Sequence, residues 1–167
     1  MIEDATIAKC VDFAVRLEEL GAELYQKLAV RFAPDRELSE LFQGLGRDEV
    51  HHQELFRALR DRAASRPVGR ALSDEQKRYL RAMSMADAFP GTEGLEADLD
   101  AIKTREDALE RVLGAEKATL AFYQAMRDVL GSDEVLESLI SVEKTHVVKV
   151  MELMITGARF RGLADRF

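Results

Sequence analysis

The sequence has one cysteine, no excess of basic residues and a net charge of −7 over 167 residues. A single cysteine, Cys10, offers no disulfide framework, so the sequence predicts a protein of a reducing compartment. We expect Cys10 itself to be a small helix residue rather than a redox centre. The acidic balance and the lack of a basic stripe argue against nucleic acid as a partner.

Long apolar runs are also missing. No stretch approaches the ~20 continuous apolar residues of a membrane span, and the N-terminus lacks the basic start and apolar run of a signal peptide. We therefore expect a cytoplasmic protein without a membrane partner. With 47% hydrophobic and 33% charged residues, residues 1–167 have the size and apolar content of a single domain with one core.

One polar pattern is present twice: a Glu seven residues before a Tyr, and a Glu three residues before a His. The members are Glu18, Tyr25, Glu49 and His52 in the first copy, and Glu116, Tyr123, Glu143 and His146 in the second. The copies are offset by 98 residues for the Glu/Tyr pair and by 94 residues for the Glu/His pair. This regularity indicates a duplicated helical hairpin.

These polar residues lie on helical stripes that are otherwise apolar. The stripe of the first helix consists of Ile7, Val11, Ala14, Glu18, Gly21, Tyr25 and Leu28. Its alternating steps of four and three are typical of a helix packed in a bundle. The same rhythm predicts four long helices, at approximately 3–32, 35–65, 105–130 and 133–158, with their Glu and His side chains facing the interior of an all-α bundle.

The negative charge of these buried carboxylates has to be balanced. An ionised carboxylate in an apolar interior costs several kcal/mol, and four at one level would repel one another. Without metal, we expect burial and repulsion to raise the pKa of all four Glu. Two divalent cations would balance their charge. Residues three apart on a helix lie within about 5 to 6 Å, so each Glu-x-x-His pair can hold one ion, and the two remaining Glu would bridge or cap the ion pair.

Glycine, proline and capping residues divide the helices. Ala33-Pro34-Asp35 separates the first two, and Gly131-Ser132 separates the last two, with Ser132 as the expected N-cap. Thr104 and Asp107 resemble a capping box. Residues 66–103 form a long crossover containing a predicted short helix at approximately 73–88, interpreted as a cover over the bundle, a lid or a dimer contact.

Four segments together resemble a known family: EELGAELYQKLA (18–29), RDEVHHQEL (47–55), GAEKATLAFYQAM (114–126) and SVEKTHVVKVMEL (141–153). They are similar to the four helices of a rubrerythrin-like domain of the ferritin-like superfamily. The resemblance implies a ferritin-like antiparallel four-helix bundle with a long crossover between helices B and C. It also implies six metal ligands, Glu18, Glu49, His52, Glu116, Glu143 and His146, whose carboxylates accept hydrogen bonds from Tyr25 and Tyr123.

The resemblance implies a di-iron oxidoreductase that reacts with peroxide or O2 and acts in oxidative stress. Rubrerythrins carry a further Glu three residues after the helix C ligand, where this chain has Thr119. They also carry a rubredoxin module with four Cys, which this chain lacks, so electrons would come from a separate donor protein. The alternative is a metal-binding protein for iron storage or delivery, of ferroxidase type or without turnover. Manganese or zinc could replace iron, and a homodimer is possible.

Three residues, Gly21, Thr119 and His51, are close in sequence to the expected ligands. Gly21 and Thr119 each follow a helix ligand by three positions, and their small side chains are expected to leave room beside the ions for a small oxidant. His51 lies about 100° around the helix from its neighbour His52. We therefore expect His51 to be a surface or packing residue, with a role in contact with the metal ligands as the alternative.

Overall fold

A computed structural model describes residues 6–64, 72–84 and 99–164. Within these ranges the chain is all-α. Its helices are α1 (Ile7–Arg31), α2 (Arg36–Ala64), α3 (Asp74–Ser84), α4 (Arg105–Leu130) and α5 (Glu134–Ala164), and residues 99–101 add a helical turn. Helix α5 continues past the predicted end at 158. The predicted starting residues 3–5, much of the crossover (66–71 and 85–98) and the end of its short helix (85–88) lie outside the described residues.

Side-chain caps fix several helix ends. The hydroxyl of Thr6 accepts a hydrogen bond from the backbone N–H of Lys9 at the start of α1. The predicted capping box is present at α4, where Thr104 and Asp107 exchange side-chain and backbone hydrogen bonds. Gly131 ends α4 with a φ of 92°, a conformation that favours glycine because it has no Cβ.

The expected N-cap of α5 is wrong by one residue. The carboxylate of Asp133 accepts the backbone N–H of Val135 at 2.9 Å, so Asp133 caps the helix. The Ser132 hydroxyl instead donates to Glu137 at 2.9 Å. Asp and Ser are comparable N-cap residues, and sequence alone could not choose between these adjacent candidates.

The four long helices pack side by side. Helix α1 packs on α2 and on α4, and α5 packs on α4 and on α2, so the four enclose a common interior. Apolar side chains fill this interior in two clusters. One cluster contains side chains from the N-terminal parts of α1 and α5 and from the C-terminal parts of α2 and α4. The other cluster contains side chains from the C-terminal parts of α1 and α5 and from the N-terminal parts of α2 and α4. Helices α1 and α5 therefore run in one direction, and α2 and α4 run in the other.

The short helix α3 covers part of this interior. It packs against α4, and Leu80 is fully buried in the cluster that includes Cys10 and Phe122. Leu72 and Met83 pack against the same cluster, while Tyr79 remains 42% exposed. This arrangement fits the interpretation of the crossover helix as a cover. In the described part of the chain, no helix combines the length and apolarity needed to cross a membrane.

Candidate metal centre

The boundary between the two apolar clusters is a layer of buried polar side chains. Helices α1 and α4 each contribute one Glu to it, and α2 and α5 each contribute a Glu and a His three residues apart. The six residues are Glu18, Glu49, His52, Glu116, Glu143 and His146, and none is more than 4% exposed. The structure thus brings all six sequence-predicted ligands to one level of the bundle.

The layer divides into two overlapping groups of ligand atoms. One consists of Glu18, Glu49, His52 and Glu143, and the other consists of Glu49, Glu116, Glu143 and His146. Within each group the donor atoms all lie within 4.8 Å of one another. Each group includes one imidazole nitrogen and three carboxylates, a set of atoms that could hold a metal ion.

Several distances from the imidazole nitrogens to the carboxylates are close to those between ligands of a single ion. Nδ1 of His52 lies 3.1 Å from Glu143 and 3.2 Å from Glu49, and Nδ1 of His146 lies 3.2 Å from Glu116 and 3.5 Å from Glu143. Donors bound to one ion at about 2.1 Å are separated by about 3.0 to 3.4 Å in octahedral or tetrahedral geometry. Nδ1 of His146 lies farther, 3.9 Å, from Glu49, so this carboxylate would have to move closer on metal binding.

Membership of the groups shows which carboxylates are shared. Glu49 and Glu143 belong to both groups, whereas Glu18 and Glu116 belong to one each. The sequence allows Glu18 and Glu116 to bridge or to cap the ions, and the geometry favours capping. If two ions were bound, Glu49 and Glu143 would be the shared ligands, because these carboxylates lie between the two imidazoles.

The two tyrosines connect the halves of the duplication. The hydroxyl of Tyr25 on α1 donates a hydrogen bond to Glu116 on α4, and the hydroxyl of Tyr123 on α4 donates to Glu18 on α1. Both tyrosines are at most 2% exposed. Each hydroxyl therefore fixes the orientation of the capping carboxylate contributed by the other half.

Replacing Tyr123 by Phe should destabilise the metal-free protein by about 1 to 3 kcal/mol, because a buried oxygen of Glu18 would lose its donor. Urea unfolding in the presence of a chelator measures this change. Tyr79→Phe is the matched control, since Tyr79 is 42% exposed and its loss should change stability by less than about 0.5 kcal/mol. Equal effects of the two substitutions would contradict the assigned role of Tyr123.

Nε2 of His146, the ring nitrogen that faces away from the layer, has a partner that the sequence does not predict. Nε2 lies 3.1 Å from a carboxylate oxygen of Asp48, which is on α2 directly before Glu49. The Asp48 side chain is 42% exposed and also lies 3.9 Å from Nζ of Lys149. The only signal in the sequence was its position beside a ligand, and an aspartate at a half-exposed helix position ordinarily indicates a solvated surface.

Proton affinities in the metal-free layer are strongly shifted. Burial raises the pKa of Glu49 well above 4.5, and the neighbouring carboxylates raise it further. Burial also raises the pKa of Glu116 to about 7, although His146 opposes the shift. Glu143 differs: burial would raise its pKa, but interactions with the imidazoles of His146 and His52 outweigh burial and lower it to about 2. The expectation of raised pKa values for all four Glu is therefore wrong for Glu143.

Contacts within the layer also shift the pKa values of the two histidines. Burial alone would lower the pKa of both imidazoles, but the adjacent carboxylates outweigh it. They raise the pKa of His52 to about 9 and that of His146 to about 10. Without metal, protons thus compensate the negative charge that two cations would otherwise balance.

The surroundings of the Glu143 carboxylate indicate whether the layer fits a metal. Both of its carboxylate oxygens are buried, and neither has a hydrogen-bond partner in the described part of the chain. His52 approaches to 3.1 Å, but this is the proximity of an ion pair and not an aligned hydrogen bond. A buried carboxylate without hydrogen bonds is costly. A cation between the two imidazoles would satisfy it, so the residues present fit a metal ion.

Other residues near the layer have structural roles. A Cβ at Gly21 would lie 3.4 Å from the side chain of Glu49, an ordinary van der Waals contact, so Gly21 packs beside this carboxylate. The expected room for an oxidant stays a prediction. Thr119 is 9% exposed. His51 is exposed and lies 3.7 Å from Glu54, so it is a surface residue as expected. Cys10 is fully buried, and burial raises the pKa of its thiol to about 11.

Comparison of the chain with family models, with curated proteins and with solved structures gives no match.

Proposed function

We propose that this protein is a di-metal carboxylate protein that binds two ions in the layer between its apolar clusters. The observation that carries the proposal is the pair of overlapping ligand groups, which share Glu49 and Glu143 and are buried in the interior. Each ion would be held by one imidazole, one capping carboxylate and the two shared carboxylates. Four carboxylates and two imidazoles suit iron or manganese, and zinc could also bind because divalent affinities do not favour iron.

Metal binding should reach about two ions per chain, and loss of one imidazole should remove mainly one. Equilibrium dialysis against Mn(II), followed by elemental analysis, measures the ratio for the unaltered protein and for His52→Ala and His146→Ala. His51→Ala is the matched control, because this adjacent histidine is exposed and outside both groups. A ratio near one for the unaltered protein, or two ions in both variants, would contradict the proposal.

The helix directions support a ferritin-like topology. Because α2 and α4 run in the same direction, the chain between residues 64 and 105 has to return from one end of the bundle to the other. Helix α2 has 29 residues and is therefore about 43 Å long, a distance that a crossover of this length can span. The same ligand set, one Glu from each of two helices and Glu-x-x-His from each of the other two, belongs to ferritin-like di-iron and di-manganese proteins.

Within this class, the protein is proposed to be a rubrerythrin-like oxidoreductase. Bound iron would supply the electrons that reduce peroxide or O2. The chain supplies a dry layer in which the tyrosine hydroxyls orient the capping carboxylates and the deep burial of the ligands restricts access to small oxidants. A separate protein would act as electron donor, because the one cysteine of the chain is far too few for a four-Cys iron site.

Thr119 favours an alternative, namely iron oxidation for storage or delivery without sustained turnover. Threonine replaces the Glu that rubrerythrins carry at this position, and it offers no carboxylate to the ions. Peroxide consumption by the iron-loaded protein in the presence of an electron-transfer protein separates the two functions. Many turnovers per chain would support the oxidoreductase, and a single stoichiometric oxidation would support the alternative.

A further inference from the structure

The two histidines of the layer differ in their outer contacts. Both imidazoles direct Nδ1 toward the carboxylates of the layer. Nε2 of His146 lies 3.1 Å from Asp48, whereas no carboxylate among the described residues pairs with Nε2 of His52. The duplication explains the difference: the 94-residue offset that relates Glu49 to Glu143 places Val142 at the position equivalent to Asp48.

A carboxylate at the position of Asp48 contacts Nε2, the imidazole nitrogen that faces away from the other ligands. An ionised Asp can only accept a hydrogen bond, so Nε2 of the neutral imidazole carries the proton and Nδ1 keeps its lone pair for a metal. Such a partner also fixes the ring orientation and raises the basicity of the ligating nitrogen. Asp48 belongs to α2 while His146 belongs to α5, so the contact also fixes the ring relative to the neighbouring helix.

We propose that Asp48 is a positioning residue for one half of the metal site, where it holds His146 in the tautomer that binds through Nδ1. The His146 half should therefore bind a divalent ion more tightly than the His52 half, and a first equivalent of metal should occupy it preferentially. This inference rests on the proposed metal-binding function. It adds that the two halves of the duplication are unequal.

The experiment removes Asp48 in proteins that retain one imidazole. His52→Ala leaves the His146 half, and His146→Ala leaves the His52 half. Affinity for Co(II) is measured by chelator competition, and the visible absorption of the bound ion reports its ligand geometry. Asp48→Ala should lower the affinity about 10- to 100-fold in the His52→Ala background, with a changed spectrum, and should leave the His146→Ala background nearly unchanged.

Two further variants separate positioning from general damage to the fold. Asp48→Asn keeps a side-chain oxygen that can accept the hydrogen bond, so it should restore part of the lost affinity. Asp61→Ala removes an exposed carboxylate from the same helix and should change neither half. Equal losses from Asp48→Ala in the two backgrounds, or no loss in either, would overturn the role of Asp48. If the unaltered protein bound no Co(II), the proposed function would fail as well, whereas binding of two ions without a selective loss would overturn only this inference.

Discussion

Glu143→Gln should abolish binding of both metal ions, whereas Glu18→Gln should cost mainly one. The reason is that Glu143 belongs to both ligand groups and lies between the two imidazoles, while Glu18 belongs only to the group of His52. Gln preserves the size of the side chain and removes its charge, so the two substitutions are chemically identical. Isothermal titration with Mn(II) gives the number of ions bound by each variant.

Two controls support this comparison. Glu116→Gln should resemble Glu18→Gln, because Glu116 belongs only to the group of His146. Circular dichroism of each metal-free variant checks that the helices remain folded. If Glu143→Gln and Glu18→Gln each lost a single ion, the assignment of Glu143 as a shared ligand would be wrong.

The metal-free and metal-bound proteins should depend on pH in opposite directions. In chelator, the thermal midpoint should fall as pH rises from 5 to 8. Folding raises the pKa of Glu116 from 4.5 to about 7, and it raises the pKa of His52 from 6.5 to about 9 and that of His146 to about 10. Groups with a raised pKa bind protons more tightly when folded, so the stability that they contribute at low pH is lost as pH rises through the folded values.

The pKa of Glu143 is shifted in the opposite direction, but this shift affects stability in a different pH range. Its pKa of about 2 lies below the ordinary 4.5, so its contribution is lost only as pH falls below about 4.5. It therefore does not reverse the trend above pH 5.

Bound metal should reverse the dependence of the thermal midpoint on pH. Its ligands must be deprotonated, so affinity rises with pH, and each site adds about 2.7 kcal/mol when free metal is 100 times its dissociation constant. Melting curves between pH 5 and 8, with chelator and with excess Mn(II), measure both series. His51→Ala should reproduce both slopes, because His51 is exposed. Parallel series for the unaltered protein would mean that these residues do not exchange protons for metal.

Helical periodicity predicts the long helices and the layer well, because both depend on which face of a helix is apolar. The alternating steps of three and four around Glu18 identify the side of α1 that is buried, and the fourfold repetition of this pattern indicates that the polar residues meet. The same pattern also locates Tyr25 and Tyr123, whose hydrogen bonds cross between the two halves.

Details that depend on the relative rotation and shift of helices could not be predicted. Periodicity does not reveal that Glu143 lies within reach of both imidazoles, so neither its shared position nor its lowered pKa was foreseen. Asp48 was missed for the same reason, since its contact with His146 requires that α2 and α5 be neighbours in one register. The space beside Gly21 is occupied by a side chain from another helix, and a single helical stripe gives no information about such a contact.

The central claim is that two ions share one buried site, and Mössbauer spectroscopy of the protein loaded anaerobically with ⁵⁷Fe(II) tests it most directly. We expect about two irons per chain and, after addition of peroxide or O2, spectra of a spin-coupled ferric pair, because Glu49 and Glu143 belong to both ligand groups. Spectra of isolated ferric ions, or about one iron per chain or fewer, would contradict the claim.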